Sequence, residues 1–149
     1  MNDFASAAEV ARRVLELTPS IPGRTTEKAL IFLRNFPHGS CDLMAYATGG
    51  MLLDEGLGDW WVVTQREAAS PTMHVWLEWR GDGKNPDFSI DTSAHQFFEI
   101  DEPFIGLGPT PARALFPDPV SAVRFSQLPG WWARDGDIAL LEYVRSQWR

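Results

Sequence analysis

A single cysteine, Cys41, rules out an internal disulfide, and 149 residues are enough to bury a core without one. Basic residues are sparse as well. Thirteen Lys and Arg stand against 20 Asp and Glu, no basic run occurs, and the formal charge of −7 argues against nonspecific binding to nucleic acid or to an anionic membrane. No stretch approaches the roughly 20 apolar residues of a membrane span. The opening segment MNDFASAAEVARR has neither a basic leader nor a long apolar run, so nothing in it directs secretion. These absences lead us to expect one domain over residues 1–149, with no nucleic-acid or membrane partner. The compartment expected is the reducing cytoplasm, where a thiol stays usable; export without a cleavable signal would leave no trace in these features.

Aromatic residues are plentiful: seven Trp and nine Phe imply a core or groove rich in ring surface. Asp3 is placed to cap a first helix whose Phe4, Ala7, Ala8, Val10, Ala11, Val14, Leu15 and Leu17 form an apolar stripe ending near Pro19. A turn, TPSIPGR, leads to a second expected helix over about residues 25–35, burying Ala29, Leu30, Phe32 and Leu33. FPHGS breaks it. From Cys41 onward Leu43, Met44, Ala47, Met51 and Leu52 recur at helical spacing, and the adjacent Gly49 and Gly50, costing roughly 1 kcal/mol each relative to Ala, suggest another backbone packed close by.

The character then changes. DWWVVTQ, MHVWLEW and FSIDTSA read as three strands of an antiparallel meander, the last two joined across the turn cluster RGDGKNPD. Residues 101–119, rich in Pro and Gly, read as a long ordered loop across one face, VSAVRFSQL as a further strand, and Asp135 or Asp137 as the cap of a closing helix. Helices, then a sheet, then a helix make an α+β domain.

Cys41 therefore sits at a helix N-terminus. A thiol attacks carbonyl carbon as thiolate, and such a terminus supplies both partial positive charge and free N–H groups for an oxyanion. A lone cysteine is more often apolar filler, so a base must be found. His74 opens the strand MHVWLEW, where a rigid element can present it. If the hairpin folds about Gly83 and Lys84, partners' numbers sum to about 167, which puts Asp91 on the same face as His74 and diagonal to it. A register shifted by one residue would send Asp91 to the other face.

GSC entering a helix, HVWLEW on a strand and SIDTSAHQF on the next resemble the transglutaminase-like branch of the papain-like cysteine enzymes, over residues 36–97. The likeness is greatest to small bacterial transglutaminase-like proteins, including the peptidases that mature lasso peptides. The resemblance implies Cys41 as nucleophile, His74 as general base and Asp91 as its orienting acid, in a papain-like fold without cofactor or metal. It implies hydrolysis of a peptide or protein amide through a thioester, as protease or glutamine deamidase, with a peptide or protein as substrate and room for a regulatory or processing partner. Amine transfer of the transglutaminase type, or a non-catalytic scaffold of the same fold, are the alternatives. No residue matches an oxyanion donor of the family; Asn35 and the Cys41 backbone N–H are candidates, the latter favoured by helix geometry.

A zinc site built from His38, Cys41, His74 and His95 is the weaker reading, because the second ligand pair would come from separate elements. His38 reads as a solvated or capping residue, with the substrate entrance as its alternative place, His95 and Gln96 as the end of the third strand, Glu78 as a half-exposed strand residue rather than a substrate contact, and Asp87, the rival orienting acid, as a turn residue. Of Trp60, Trp61, Trp76, Trp79, Trp131 and Trp132, most are expected in the core, although such rings also suit a peptide groove.

Overall fold

The computed structural model describes residues 3–148. Asp3 accepts the Ser6 N–H at 3.0 Å and starts α1 (Phe4–Leu17), which turns its Ala7, Ala8, Val10, Ala11 and Val14 inward as the stripe foretells. After a short 3-10 turn, Thr18–Ser20, the expected second helix is replaced by a 3-10 segment, Lys28–Leu33, interrupted at Leu30, whose backbone is not helical. Tight 3-10 geometry brings only Leu30 and Leu33 inside, while Phe32 stays exposed.

Helix α2 (Cys41–Asp54) begins at the cysteine and is the centre of the helical layer, contacting α1 and the closing helix α4 (Asp135–Gln147) on its flanks. Its glycines make room for side chains rather than for another backbone. A Cβ at Gly49 would meet the Phe125 ring at 2.9 Å, and one at Gly50 would meet the Leu141 side chain at 2.6 Å. The close backbone approach lies elsewhere, where Gly136 of α4 packs against the Ala29 carbonyl.

The three expected strands form as β1 (Trp61–Arg66), β2 (Met73–Trp79) and β3 (Phe88–Asp91). Residues 101–119 are more ordered than a loop: they supply β4 (Phe104–Leu107) and the single turn α3 (Ala112–Leu115), and β5 (Asp118–Arg124) follows. The sheet is antiparallel throughout, in the order β4-β3-β2-β1-β5. Its register agrees with the hairpin reading, with Leu77 opposite Ile90, Glu78 opposite Ser89 and Trp79 opposite Phe88.

Alternation then sorts the strand residues. Val62, Val75, Leu77, Phe88 and Ile90 join the helical core, while His74, Trp76, Glu78, Ser89 and Asp91 share the opposite face. On that second face Glu78 is fully buried rather than half exposed. It accepts from Trp76 Nε1 and pairs with Arg80 at 2.7 Å and Arg113 at 3.4 Å, which is how a buried carboxylate is satisfied. The architecture is α+β, with α1, α2 and α4 on one face of a five-stranded antiparallel sheet and the short α3 reaching Glu78 on the other. Among the described residues no helix is long and apolar enough to cross a membrane.

The start of α4 differs in detail from the expected acidic cap. Arg134 is the capping residue, and Asp137 in the first turn accepts the Arg134 N–H at 2.8 Å. The other Asp137 oxygen is buried without a partner. Burial pushes its pKa up to about 6, against the pull of the Arg134 N–H. Because the folded state then holds a proton that the unfolded chain has released, stability falls as pH rises from about 4 through 6. Asp137→Asn keeps an acceptor for Arg134 and removes the charge, so urea unfolding should find it more stable than wild type by about 1–2 kcal/mol at pH 8, with the gain vanishing at pH 4.

Candidate active site

Three elements bring the sequence-derived trio together. Cys41 is the first residue of α2, His74 lies near the start of β2 and Asp91 is the last residue of β3. The Ser40 hydroxyl turns back to the Pro37 carbonyl at 2.8 Å, so the capping residue's side chain makes no bond to the first turn of the helix. Gly39, at φ +73°, takes the left-handed conformation that brings the chain into this turn.

His74 Nε2–H donates to both oxygens of Asp91, at 2.9 and 3.0 Å, and neither side chain is exposed to solvent. Asp91 Oδ2 also accepts the Thr110 hydroxyl at 2.8 Å. With Nε2 committed to the carboxylate, the neutral ring presents Nδ1 as its acceptor. Phe97 packs edge-on to the imidazole at 4.7 Å between centroids, with Trp76 and Phe116 both at 5.5 Å, so the ring has one orientation.

Burial opposes charge on His74 and is the largest single influence on it. The hydrogen bond and charge of Asp91, and then those of Cys41, together outweigh it and push the pKa up to about 9. Cys41 is thus near enough to the ring to act on it by hydrogen bonding and by charge.

The sulfur is not sealed in packing. Cys41 is partly exposed and lines a cleft of about 380 Å³ together with Asp42, Thr64, Met73, Val75, Trp131, Trp132 and Arg134. Two of these residues carry large apolar groups into solvent, Trp131 at 81% and Met73 at 51% exposure. Of the six tryptophans expected mostly in the core only Trp60 and Trp76 are fully buried; Trp61 and Trp79 are half-buried, and Trp131 and Trp132 wall the cleft. Asp42 lies against Arg134 at 3.5 Å, and burial raises its pKa despite that cation.

The remaining candidates fall outside the trio. Asn35 and His38 are exposed, and the His95 ring packs against Phe36. Asp87 accepts the Gly81 N–H within the β2–β3 turn, the structural role expected of it. Among the described residues no group of three or more His, Cys, Asp or Glu is arranged to hold a metal ion.

Two residues at the site had no signal in the spacing. Thr110 comes from the segment read as a loop. Gln96, in the 3-10 turn Ala94–Gln96 beyond β3, donates from Nε2 to His74 Nδ1 at 3.3 Å while its Oε1 accepts the Gly39 N–H at 3.2 Å. Both contacts join residues far apart in sequence, so neither helical nor strand periodicity points to them.

Comparison of the chain with protein-family models, curated proteins and solved structures finds no match.

Proposed function

We propose that the protein is a cysteine-dependent acyl-transfer enzyme of transglutaminase-like, papain-like type, which hydrolyses an amide of a peptide or protein. The observation that carries this reading is the His74 ring, bonded through Nε2 to a buried Asp91 and within hydrogen-bonding reach of a partly exposed Cys41. A packing cysteine has no need of an oriented imidazole, and a structural His–Asp pair has no need of a thiol at the mouth of a cleft.

In the reaction so read, the Cys41 proton passes to Nδ1 of His74 as sulfur attacks the carbonyl carbon and the carbonyl π pair moves to oxygen. The uncapped start of α2 offers the Cys41 N–H to that oxyanion. His74 returns the proton to the departing amine when the C–N bond breaks, leaving a thioester. Water, deprotonated in turn by His74, adds to the thioester carbonyl; the C–S bond then breaks, releasing the acid, and His74 returns the proton to the Cys41 sulfur. Asp91 holds the ring and balances its charge. The cleft beside Cys41, walled by indoles and methionine, suits an extended peptide segment with a bulky apolar side chain next to the reacting amide.

The test needs no known substrate. Iodoacetamide at pH 6, followed by intact-mass spectrometry, should alkylate Cys41 in the folded protein at least tenfold faster than in a His74→Ala variant. A sulfur that stays unmodified until urea unfolds the chain would rule out a nucleophilic role.

A further inference from the structure

His74 is fully buried, so Nδ1 can be reached only past the groups that cover it. Cys41 acts on the ring from one side, and the Gln96 amide lies on Nδ1 at 3.3 Å. The orientation of that amide is fixed by its other end. Gly39 N–H can only donate, so the amide oxygen faces Gly39 at 3.2 Å and the NH₂ group faces the ring. A donor on Nδ1 is compatible with the neutral ring alone. Once Nδ1 carries a proton, two N–H groups oppose each other and the contact becomes repulsive.

Every other charged or titratable neighbour works the opposite way or is already engaged. Asp91, from β3, and Cys41, from α2, both favour the imidazolium. Glu78, two residues beyond Trp76 on the same face of β2, is occupied by Trp76, Arg80 and Arg113. His95, beside Gln96, is held low in pKa chiefly by its own burial. The remaining cover is Phe97, Phe116 and Trp76, which titrate nothing.

We propose that Gln96 is a positioning residue: through a clasp on Gly39 it weighs against a proton on Nδ1 of His74, opposing the pull of Asp91 and Cys41, and it must leave Nδ1 when the ring takes the thiol proton. This inference rests on the acyl-transfer reading for its purpose. While the ring is neutral the clasp covers Nδ1 and ties the turn before Cys41 to the ring. On attack the S–H bond breaks, the proton moves to Nδ1, and the Gln96 N–H swings off, opening the path by which the departing amine reaches the same nitrogen. Proton transfer and release of the turn at Gly39 are thereby one event.

The experiment is a ¹⁵N titration of the His74 ring by NMR in the full chain, comparing wild type with Gln96→Met, which has similar length and no donor, and Gln96→Glu, which turns the donor into an acceptor. Losing the donor should raise the proton affinity of Nδ1 about fivefold in the Met variant, and the Glu variant should raise it further. A residue that merely filled space would not order the two variants this way. Gln96 is only partly buried, so both variants should fold, and near-ultraviolet circular dichroism checks that they do. Identical titrations in wild type and Gln96→Met, or a lower affinity in the Met variant, would overturn the inference. Iodoacetamide labelling of the same samples separates this outcome from the fate of the functional reading: a native Cys41 that is unreactive while the titrations keep their order removes the enzyme but leaves the hold of Gln96 on the ring.

Discussion

Cys41→Ser should lower turnover on the order of 10⁴-fold or more while leaving unfolding free energy within about 1 kcal/mol of wild type. The two parts follow from different features of the same residue. In the proposed reaction sulfur is the reacting atom, and an alcohol in its place is far less nucleophilic at neutral pH, so the base would have little to work on. Stability is spared because Cys41 lies at the margin of the core, next to the cleft, and Ser replaces it with little change in volume. Since the substrate is to be found by the same measurement, wild type and Cys41→Ser are compared across a whole proteome for new peptide termini and for Gln-to-Glu mass shifts. New termini with wild type alone mark a protease, and mass shifts alone mark a deamidase. Two identical inventories, from protein whose thiol alkylates in the folded state, would mean that hydrolysis of protein amides is the wrong chemistry.

The second large effect is expected at Asp91, where two variants separate support of the fold from support of the chemistry. Asp91→Ala leaves His74 without its acceptor and Thr110 without its own, inside a fully buried pocket, and should cost about 3–5 kcal/mol of stability. Asp91→Asn can still accept from Nε2–H and can donate to the Thr110 hydroxyl, so it should fold. It should nevertheless lose on the order of 10³-fold in activity, because the imidazolium has lost its balancing charge. The pH dependence of stability gives an independent readout. In the folded wild type the His74 pKa lies near 9, above its ordinary 6.5. Protonation therefore stabilises the fold fully below about pH 6.5, and that contribution, up to about 3 kcal/mol, disappears as pH rises through 9. Urea titrations at pH 6 and pH 10 should show this loss in wild type and a much flatter response in Asp91→Asn. An equally steep loss in both would place the stabilising partner of His74 somewhere other than Asp91.

How far the sequence could be read depended on whether a feature was local. The Cys41 helix, the three-stranded meander and the parity that puts His74 and Asp91 on one face all follow from short-range periodicity and a single turn, and the register of β2 on β3 is the one the turn implies. The second helix was misread because the apolar residues of KALIFL suit an α-helix; its 3-10 geometry instead exposes Phe32 and, at Leu30, breaks the helical backbone. The strand FIGL is only four residues long, flanked by Pro and Gly, and exists because β3 offers it an edge; no alternation in its own residues announces it. Thr110 and Gln96 were invisible for the same reason. Each acquires a role only when separate segments meet, and a polar residue between prolines or at a strand's end looks like any turn residue until then. The glycines of α2 were legible as a close approach, but what approaches them, Phe125 and Leu141, comes from segments near the end of the chain.

That dependence on late segments affects how the protein is made. Cys41 leaves the ribosome before His74, Asp91 and Thr110, and the Leu141 side chain that packs over Gly50 comes last of all. In the proposed reading the thiol therefore has neither its base nor the base's orienting acid until the chain through Asp91 has been made and folded. If the proposed reaction is the right one, it waits on contacts between segments that the chain supplies one after another.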